Sequence, residues 1–200
     1  MARMKRDKTA VFVNVPFDSK YEKQFIALIA AIIALGRKPH SVLEISEDGK
    51  GRLTRLFKII RTCEVSFHDL SRVGVPARFN MPFELGLACA IAQLEPPHRY
   101  YLAERQNYRI QRTLSDLNGR DPYVHGGTVR GSIRCVLNAL RSSNGRAGVD
   151  EVFRLYRTLA VVASALKRSY RENTIFTRAI FIDLVAAGIS RAQQVGLITP

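Results

Sequence analysis

The chain has 200 residues, 46% of them hydrophobic, and a formal net charge of +14. A chain of this length can bury about 70% of its unfolded surface, so a substantial folded core is expected. No apolar run approaches the roughly 20 residues of a membrane span, and no signal-peptide core follows the basic start. We therefore expect a soluble, cytoplasmic protein without a membrane partner.

The basic excess is spread along the chain rather than gathered in one arm. Such a surface attracts phosphorylated partners, which include nucleotides and, without sequence specificity, nucleic acids. No zinc finger or aromatic-basic RNA motif is present, so specific nucleic-acid recognition is a minor hypothesis. Cys63, Cys89 and Cys135 are widely spaced and lie in apolar helical patterns, which predicts reduced thiols and no metal site.

Strand and helix patterns alternate over the first hundred residues. Apolar, β-branched runs predict strands at residues 9–15, 41–45, 65–69 and 99–103, and apolar stripes of helical spacing predict helices at 25–35, 53–60 and 81–94. Alternation at this spacing indicates a parallel sheet with helices on both faces and right-handed crossovers. We predict an α/β fold with a flavodoxin-like sheet of about five strands.

The second half of the chain is predicted to be mostly helical. Helical patterns cover residues 110–117 and 128–140, separated by a loop at 119–127, and the run S-S-N-G-R-A-G at 142–148 is typical of a linker. Two further helices follow, a long one through 152–166 and one at 174–187 ended by Gly188. We therefore predict an α/β nucleotide-binding domain at 1–146 and a helical extension at 147–200, a hairpin that packs on the sheet or on a partner.

Two carboxylates occupy positions where α/β proteins gather functional groups. Asp69 follows the third predicted strand, and Glu84 lies in the expected first turn of the helix that Asn80 and Pro82 begin. The helix dipole there favours an ionised carboxylate, as a nucleophile or a stabiliser of positive charge requires. A glutamate that faces solvent and balances the dipole is the alternative. Apolar residues on both sides of the helix, Phe83 and Leu94 among them, favour a buried helix.

Other common catalytic motifs are absent. The first loop, N-V-P-F-D-S, has neither the glycine-rich dinucleotide fingerprint nor the Walker pattern, and no serine has a G-x-S-x-G setting. This leaves a carboxylate site made of Asp18, Asp69 and Glu84, with nearby arginines to hold phosphates. The pattern also allows Asp18 to be a simple helix cap, and two of the three carboxylates to be structural.

Three segments resemble a known group of proteins. The run V-N-V-P-F-D, the H-D-L-S-R corner and above all R-F-N-M-P-F-E-L-G-L-A are similar to uncharacterised bacterial nucleotide-binding proteins allied to TIR-like and nucleoside 2-deoxyribosyltransferase-like domains. The resemblance spans roughly residues 9–126. It implies a flavodoxin-like sheet and cleavage of N-glycosidic bonds in NAD or related nucleotides and nucleosides, by a glutamate that matches Glu84.

This resemblance assigns roles to the site residues. Glu84 would stabilise the oxocarbenium-like transition state, while Asp69 would bind a ribose hydroxyl or orient water. No metal or redox cofactor is needed, since NAD would be the substrate. The residues expected to contact substrate are Asn80, Arg78, Arg52, Asp18, Phe17 and Ser71.

A non-enzymatic reading stays open beside the enzymatic one. TIR-like folds also act as nucleotide-sensing or self-assembly modules, and a fold alone does not establish chemistry. Under this hypothesis Asp69 and Glu84 are caps, the basic surface holds a signalling nucleotide, and the C-terminal helices form a homo-oligomer. Under the enzymatic hypothesis the protein is an N-glycosidase that serves as a defence or signalling effector.

Overall fold

The computed structural model describes residues 6–45, 51–72, 79–117, 119–140 and 147–199. Within these ranges five strands form one all-parallel sheet in the order β2-β1-β3-β4-β5. This confirms the predicted flavodoxin-like α/β fold. The strands are β1 (Asp7–Asn14), β2 (Lys38–His40), β3 (Cys63–Asp69), β4 (Arg99–Glu104) and β5 (Tyr123–Val124).

Seven α-helices lie in the described part of the chain, and none of them combines the length and hydrophobicity needed to cross a membrane. They are α1 (Glu22–Ala34), α2 (Arg52–Thr62), α3 (Asn80–Leu94), α4 (Arg109–Thr113), α5 (Val129–Leu140), α6 (Val149–Ser169) and α7 (Arg178–Gln194). Short 3-10 turns occur at Ser19–Tyr21, Val42–Glu44 and Ser115–Leu117.

The predicted strand at 41–45 is wrong. Strand β2 ends at His40, and Ser41 instead caps the 3-10 turn that follows. The Ser41 hydroxyl accepts a hydrogen bond from the Leu43 N–H, and the Glu44 carboxylate accepts one from the Ser41 N–H. This reciprocal cap satisfies backbone donors locally and thereby competes with strand pairing.

The predicted helix end at Gly188 is also wrong, because α7 continues to Gln194. A Cβ at Gly188 would lie 2.6 Å from the Ile33 Cδ1 atom and 3.3 Å from the Leu159 Cδ1 atom. The glycine therefore lets α7 approach α1 and α6 closely. A glycine inside a helix marks close packing here, although the same residue commonly follows a helix end.

Alternate side chains of the central strands enter two separate cores. Val11, Val13 and Phe67 pack beneath α1 and α5, whereas Ala10 and Phe12 pack beneath α2 and α3. We call these the α1/α5 face and the α2/α3 face of the sheet. The predicted linker at 142–148 lies mostly outside the described residues.

The C-terminal helices α6 and α7 pack over α1 and share its core. Every residue of α1 from Phe25 to Ala34 is buried, since the sheet covers one side of the helix and α6 and α7 cover the other. On α6, Leu155 and Leu159 are buried on the predicted stripe. The extension therefore forms an additional layer on the α1/α5 face.

Helix α3 buries a different side from the one that its sequence suggested. Phe83 is 53% exposed and Leu94 is 82% exposed, although both were expected to be buried. The buried side consists of Met81, Glu84, Leu85, Ala88 and Ile91. A helix that is apolar nearly all round gives no clear periodicity, so the pattern could not determine which face packs on the sheet.

Candidate functional site

The site residues gather at the carboxyl edge of the sheet. Strands β1 and β3 are neighbours, but the chain leaves them in opposite directions, toward β2 and toward β4. A crevice at such a switch point is where open α/β sheets bind ligands. Asn14 ends β1 and Asp69 ends β3 at this edge.

Asp69 is the centre of a buried hydrogen-bond network, here called the Asp69 network (Tyr21, Asp69, Ser71 and His125). The Asp69 side chain, 1% exposed, accepts hydrogen bonds from the Tyr21 hydroxyl and, at 2.9 Å, from the Ser71 N–H. The His125 Nε2 atom lies 3.0 Å from the Asp69 Oδ2 atom. Burial, followed by the Asp69 charge, raises the pKa of Tyr21 well above its ordinary value.

The proton position on His125 follows from its contacts. The Gly127 N–H donates to the His125 Nδ1 atom at 3.0 Å, so the proton of the neutral ring lies on Nε2. That nitrogen faces both Asp69 and the Ser71 Oγ atom, 2.8 Å away. A catalytic triad requires the serine and the aspartate on opposite ring nitrogens. Ser71, His125 and Asp69 therefore do not form a triad.

The turn H-G-G-T at 125–128 places His125 at the start of α5. Gly126 and Gly127 have φ angles of +62° and +72°, which other residues rarely adopt. The Thr128 Oγ1 atom accepts a hydrogen bond from the Gly131 N–H at 3.0 Å, as an N-cap does. A Cβ at Gly131 would overlap the His125 carbonyl group. The glycines of this segment therefore fix the position of the histidine.

A cavity of about 580 Å³ lies over the Asp69 network, and we call it the basic pocket. Asp18 and Arg72 form an ion pair that joins the loops after β1 and β3. Asp18 also caps the following 3-10 turn by accepting from the Lys20 N–H at 2.9 Å. The polar and charged residues that line the pocket are Asp18, Lys20, Tyr21, Gln24, Ser71, Arg72, Arg105, Gln106, Arg109 and His125.

Glu84 lies on the other side of the sheet edge. Helix α3 begins at Asn80, as predicted, but Phe79 is its N-cap, so Glu84 belongs to the second turn and not to the first. The side chain is only 7% exposed, and its Oε2 atom has no hydrogen-bond partner within the described residues. Burial raises the pKa of Glu84 from 4.5 to about 7, and the Arg52 charge opposes this shift. The expectation that the dipole keeps Glu84 ionised is therefore not supported.

Asn14 and His68 connect β1, β3 and α3. The Asn14 side-chain amide donates to the Met81 carbonyl at 2.9 Å, and its nitrogen lies 2.9 Å from the His68 Nδ1 atom. Burial lowers the pKa of His68 to about 3, so this histidine is neutral across the physiological range. These contacts tie the first turn of α3 to the sheet and give His68 a structural role.

The predicted residues are divided between two places. Asp69 points to the α1/α5 face because it alternates with Phe67, whereas α3 carries Glu84 on the α2/α3 face. No hydrogen bond joins the two carboxylates among the described contacts. Asp18 and Ser71 line the basic pocket, above Asp69. The Phe17 ring stacks on the Phe176 ring, with 5.0 Å between the ring centroids. Arg52 and Asn80 are exposed, and Arg78 lies outside the described residues.

Sequence reasoning missed several pocket residues, above all Tyr21, His125 and Arg105. Their partners lie far away in the chain: Ser71 and His125 are 54 positions apart. The H-G-G-T motif was the available signal, since two consecutive glycines before a helix indicate a backbone turn with a special conformation. The described residues contain no group of three or more His, Cys, Asp or Glu side chains arranged to hold a metal ion.

Comparisons with protein-family models, with curated proteins and with solved structures found no match to this chain. The fold and the site geometry thus define the class, a flavodoxin-like α/β protein with a polar crevice at its sheet edge. The resemblance to TIR-like and deoxyribosyltransferase-like domains stays a prediction.

Proposed function

We propose that this protein cleaves the N-glycosidic bond of NAD or a related nucleotide, with Glu84 as the carboxylate that acts on the sugar. The observation that carries this proposal is the buried Glu84 Oε2 atom, which has no partner within the described residues. Buried polar atoms are nearly always hydrogen-bonded, so an exception calls for an explanation. A carboxylate kept ready for a positively charged transition state provides one.

The chemistry of the bond supports this role for Glu84. As the bond between sugar and base breaks, positive charge develops on the anomeric carbon and its ring oxygen. A carboxylate in a water-poor setting stabilises that charge more strongly than it would in water. Because the pKa of Glu84 is about 7, a substantial fraction of the protein carries the ionised form near neutral pH.

Asp69 has a different role in this proposal. Both of its oxygens already accept hydrogen bonds, Oδ1 from the Ser71 N–H and Oδ2 from the Tyr21 hydroxyl. The Asp69 side chain is also buried, so a ribose hydroxyl has little access to its remaining acceptor positions. Asp69 therefore acts as a positioning residue, which holds the loop after β3 against the turn that carries His125.

A nucleotide-sensing function is the second candidate, and the Asp69 network favours it. His125 and Asp69 are both buried and bonded to other groups of the protein, an arrangement that suits a fixed wall of a binding pocket. A protein of this kind would bind a nucleotide tightly and release it unchanged. The two functions differ in one measurable respect, which is the release of base.

The deciding experiment incubates the purified full chain with NAD, NMN and a panel of nucleosides, and detects released base by chromatography. We expect cleavage by wild type and a loss of more than about 100-fold in Glu84→Gln, since a principal transition-state charge is removed. The rate should increase as the pH rises through about 7, because the ionised carboxylate is the active form.

The matched control is Glu172→Gln, which changes an exposed glutamate. This variant should release base at the wild-type rate. Equal cleavage by wild type and Glu84→Gln would show that the assigned glutamate is wrong. Tight nucleotide binding by wild type without any cleavage would favour the sensing function instead.

A further inference from the structure

The basic pocket contains more positive charge than its own contacts use. Four cationic side chains line it, Lys20, Arg72, Arg105 and Arg109. Arg72 pairs with Asp18, and Arg109 pairs with the buried Glu104. Within the described residues, the side chains of Lys20 and Arg105 have neither a hydrogen bond nor an ion pair. The pocket therefore has two cations that remain available to an anion.

We infer that the basic pocket binds the phosphate group of a nucleotide. Arg105 is the central contact, because a guanidinium presents several donors in a plane and binds phosphate oxygens in pairs. The Arg105 side chain lies against the H-G-G-T turn: a Cβ at Gly127 would be 2.9 Å from the Arg105 Nε atom. A glycine at 127 thus leaves room for this arginine beside the backbone.

The start of α5 adds to the positive potential of the pocket. Helix α5 has 12 residues and begins directly after the turn that lines the pocket. The amino end of a helix carries a partial positive charge and favours phosphate groups nearby.

Gln24 indicates that the ligand is larger than a free anion. Its side-chain nitrogen donates to the Gly127 carbonyl at 2.8 Å, which fixes the orientation of the amide. The Gln24 Oε1 atom is buried and accepts no hydrogen bond within the described residues. That oxygen requires a donor, and phosphate at neutral pH is chiefly an acceptor. A sugar hydroxyl or a base amino group attached to the phosphate supplies the donor.

The carboxylates around the pocket cancel only part of this charge. Asp18 and Glu104 each have an arginine partner, and Asp69 accepts from Tyr21 and Ser71 beneath the pocket floor. The sequence placed phosphate binding at Arg52 or Arg78. Arg52 lies instead on α2, on the other face of the sheet, and does not line this pocket.

This inference does not depend on cleavage by Glu84. If the proposed function also holds, one consequence rests on it: the substrate is a phosphorylated nucleotide and not a nucleoside. Binding and cleavage can be measured separately, so a negative result for one proposal does not contradict the other.

The test is isothermal titration of the full chain with pyrophosphate, AMP and adenosine at constant ionic strength. We expect pyrophosphate and AMP to bind and adenosine to bind at least about tenfold more weakly than AMP, since charge-assisted contacts to the phosphate are lost. Arg105→Ala should weaken the binding of pyrophosphate and of AMP at least about tenfold. Lys20→Ala should weaken the binding of both ligands by a smaller factor. Gln24→Ala should weaken the binding of AMP but not that of pyrophosphate, which has neither sugar nor base.

Two controls complete the design. Arg157→Ala removes an exposed arginine that lies outside the basic pocket and should leave all three affinities unchanged, which separates the pocket from the general charge of +14. Glu172→Gln, at an exposed glutamate outside the basic pocket, should bind AMP like wild type. Wild-type affinity for pyrophosphate in an Arg105→Ala, Lys20→Ala double variant would overturn the phosphate site. Binding of pyrophosphate without AMP, or of adenosine as tightly as AMP, would overturn its assignment to a nucleotide.

Discussion

The two faces of the sheet are built differently. On the α1/α5 face, α6 and α7 add a further layer, and four polar side chains at its edge are joined in the Asp69 network, next to the Gln24 Oε1 atom, which has no partner in the described chain. On the α2/α3 face there is a single layer of helices with exposed apolar side chains, and the buried Glu84 carboxylate has an oxygen without a partner in the described chain.

We infer from this difference that the polar groups of the α1/α5 face contribute to stability, whereas Glu84 on the α2/α3 face is kept for function. A fully connected polar network holds its loops in one arrangement, whereas an unsatisfied buried group costs free energy of folding and is retained where function requires it. We therefore expect substitutions on the α1/α5 face to destabilise the protein. At the exposed apolar side chains of the α2/α3 face and at Glu84, substitutions should instead be neutral or stabilising.

The largest effect is expected at Phe181 on α7, which is 2% exposed and stacks on Phe25. Phe181→Ala should lower the free energy of unfolding by about 3–5 kcal/mol, since it leaves a cavity between helices. The adjacent Ile182, 42% exposed, is the matched control, and Ile182→Ala should cost less than about 1 kcal/mol. Phe79→Ala at the start of α3 should cost less than about 0.5 kcal/mol. Chemical denaturation measures all three, and equal losses at Phe181 and Phe79 would remove the contrast between the faces.

The second-largest effect is expected at Glu84, where a substitution should raise the free energy of unfolding. The folded-state pKa of Glu84 is about 7 and its ordinary value is 4.5, so this carboxyl ionises at a lower pH in the unfolded chain than in the folded protein. The contribution of Glu84 to wild-type stability should therefore fall between pH 4.5 and about 7. Glu84→Gln, which has no charge to bury, should be more stable than wild type by on the order of 3 kcal/mol at pH 8. The difference should vanish below pH 4.5, and a pH-independent difference would show that Glu84 is not the titrating group.

Periodicity in the sequence predicted the fold because strand and helix patterns are local. Strands β1, β3 and β4 and the helices of the first hundred residues follow from the apolar spacing, whereas the pattern missed β2 at Lys38–His40. The face of α3 could not be predicted, because Phe83 and Leu85 are equally apolar and only packing decides which is buried. Gly188 was misassigned for the same reason, since its contact with Ile33 depends on how α7 meets α1.

The candidate site could be predicted only in part. Asp69 and Ser71 lie at a strand end, where the fold itself places functional groups; Ser71 lines the basic pocket and Asp69 lies beneath it. His125 and Tyr21 reach the same place from distant segments, and no local pattern pairs residues 69 and 125. The pKa of Glu84 could not be predicted either, because burial outweighs the helix dipole and burial depends on the tertiary structure.

The third prediction concerns Tyr21, whose hydroxyl donates to Asp69 inside the protein. Tyr21→Phe keeps the ring but leaves the buried carboxylate without one donor, which should cost about 1.5–3 kcal/mol. Tyr170 is the matched control, since its hydroxyl makes the same kind of bond to the Asp183 Oδ2 atom, at 2.7 Å, on the exposed surface. Tyr170→Phe should change stability by less than about 0.5 kcal/mol. A similar cost at both tyrosines would mean that burial does not strengthen the Asp69 network.

The smallest effects are expected at two helical glycines, one on each face. At Gly188 a Cβ would lie 2.6 Å from the Ile33 Cδ1 atom and 3.3 Å from the Leu159 Cδ1 atom, and both of these side chains are fully buried. Gly188→Ala should therefore destabilise by about 1–2 kcal/mol despite the better helix propensity of alanine. At Gly86 on α3, nothing lies within 4 Å of the added Cβ, and Gly86→Ala should stabilise by about 0.5–1 kcal/mol. Thermal unfolding of the two variants beside wild type would give shifts of opposite sign. If both variants were more stable than wild type, helix propensity alone would account for the shifts, and the tight packing of α7 on α1 would not contribute to stability.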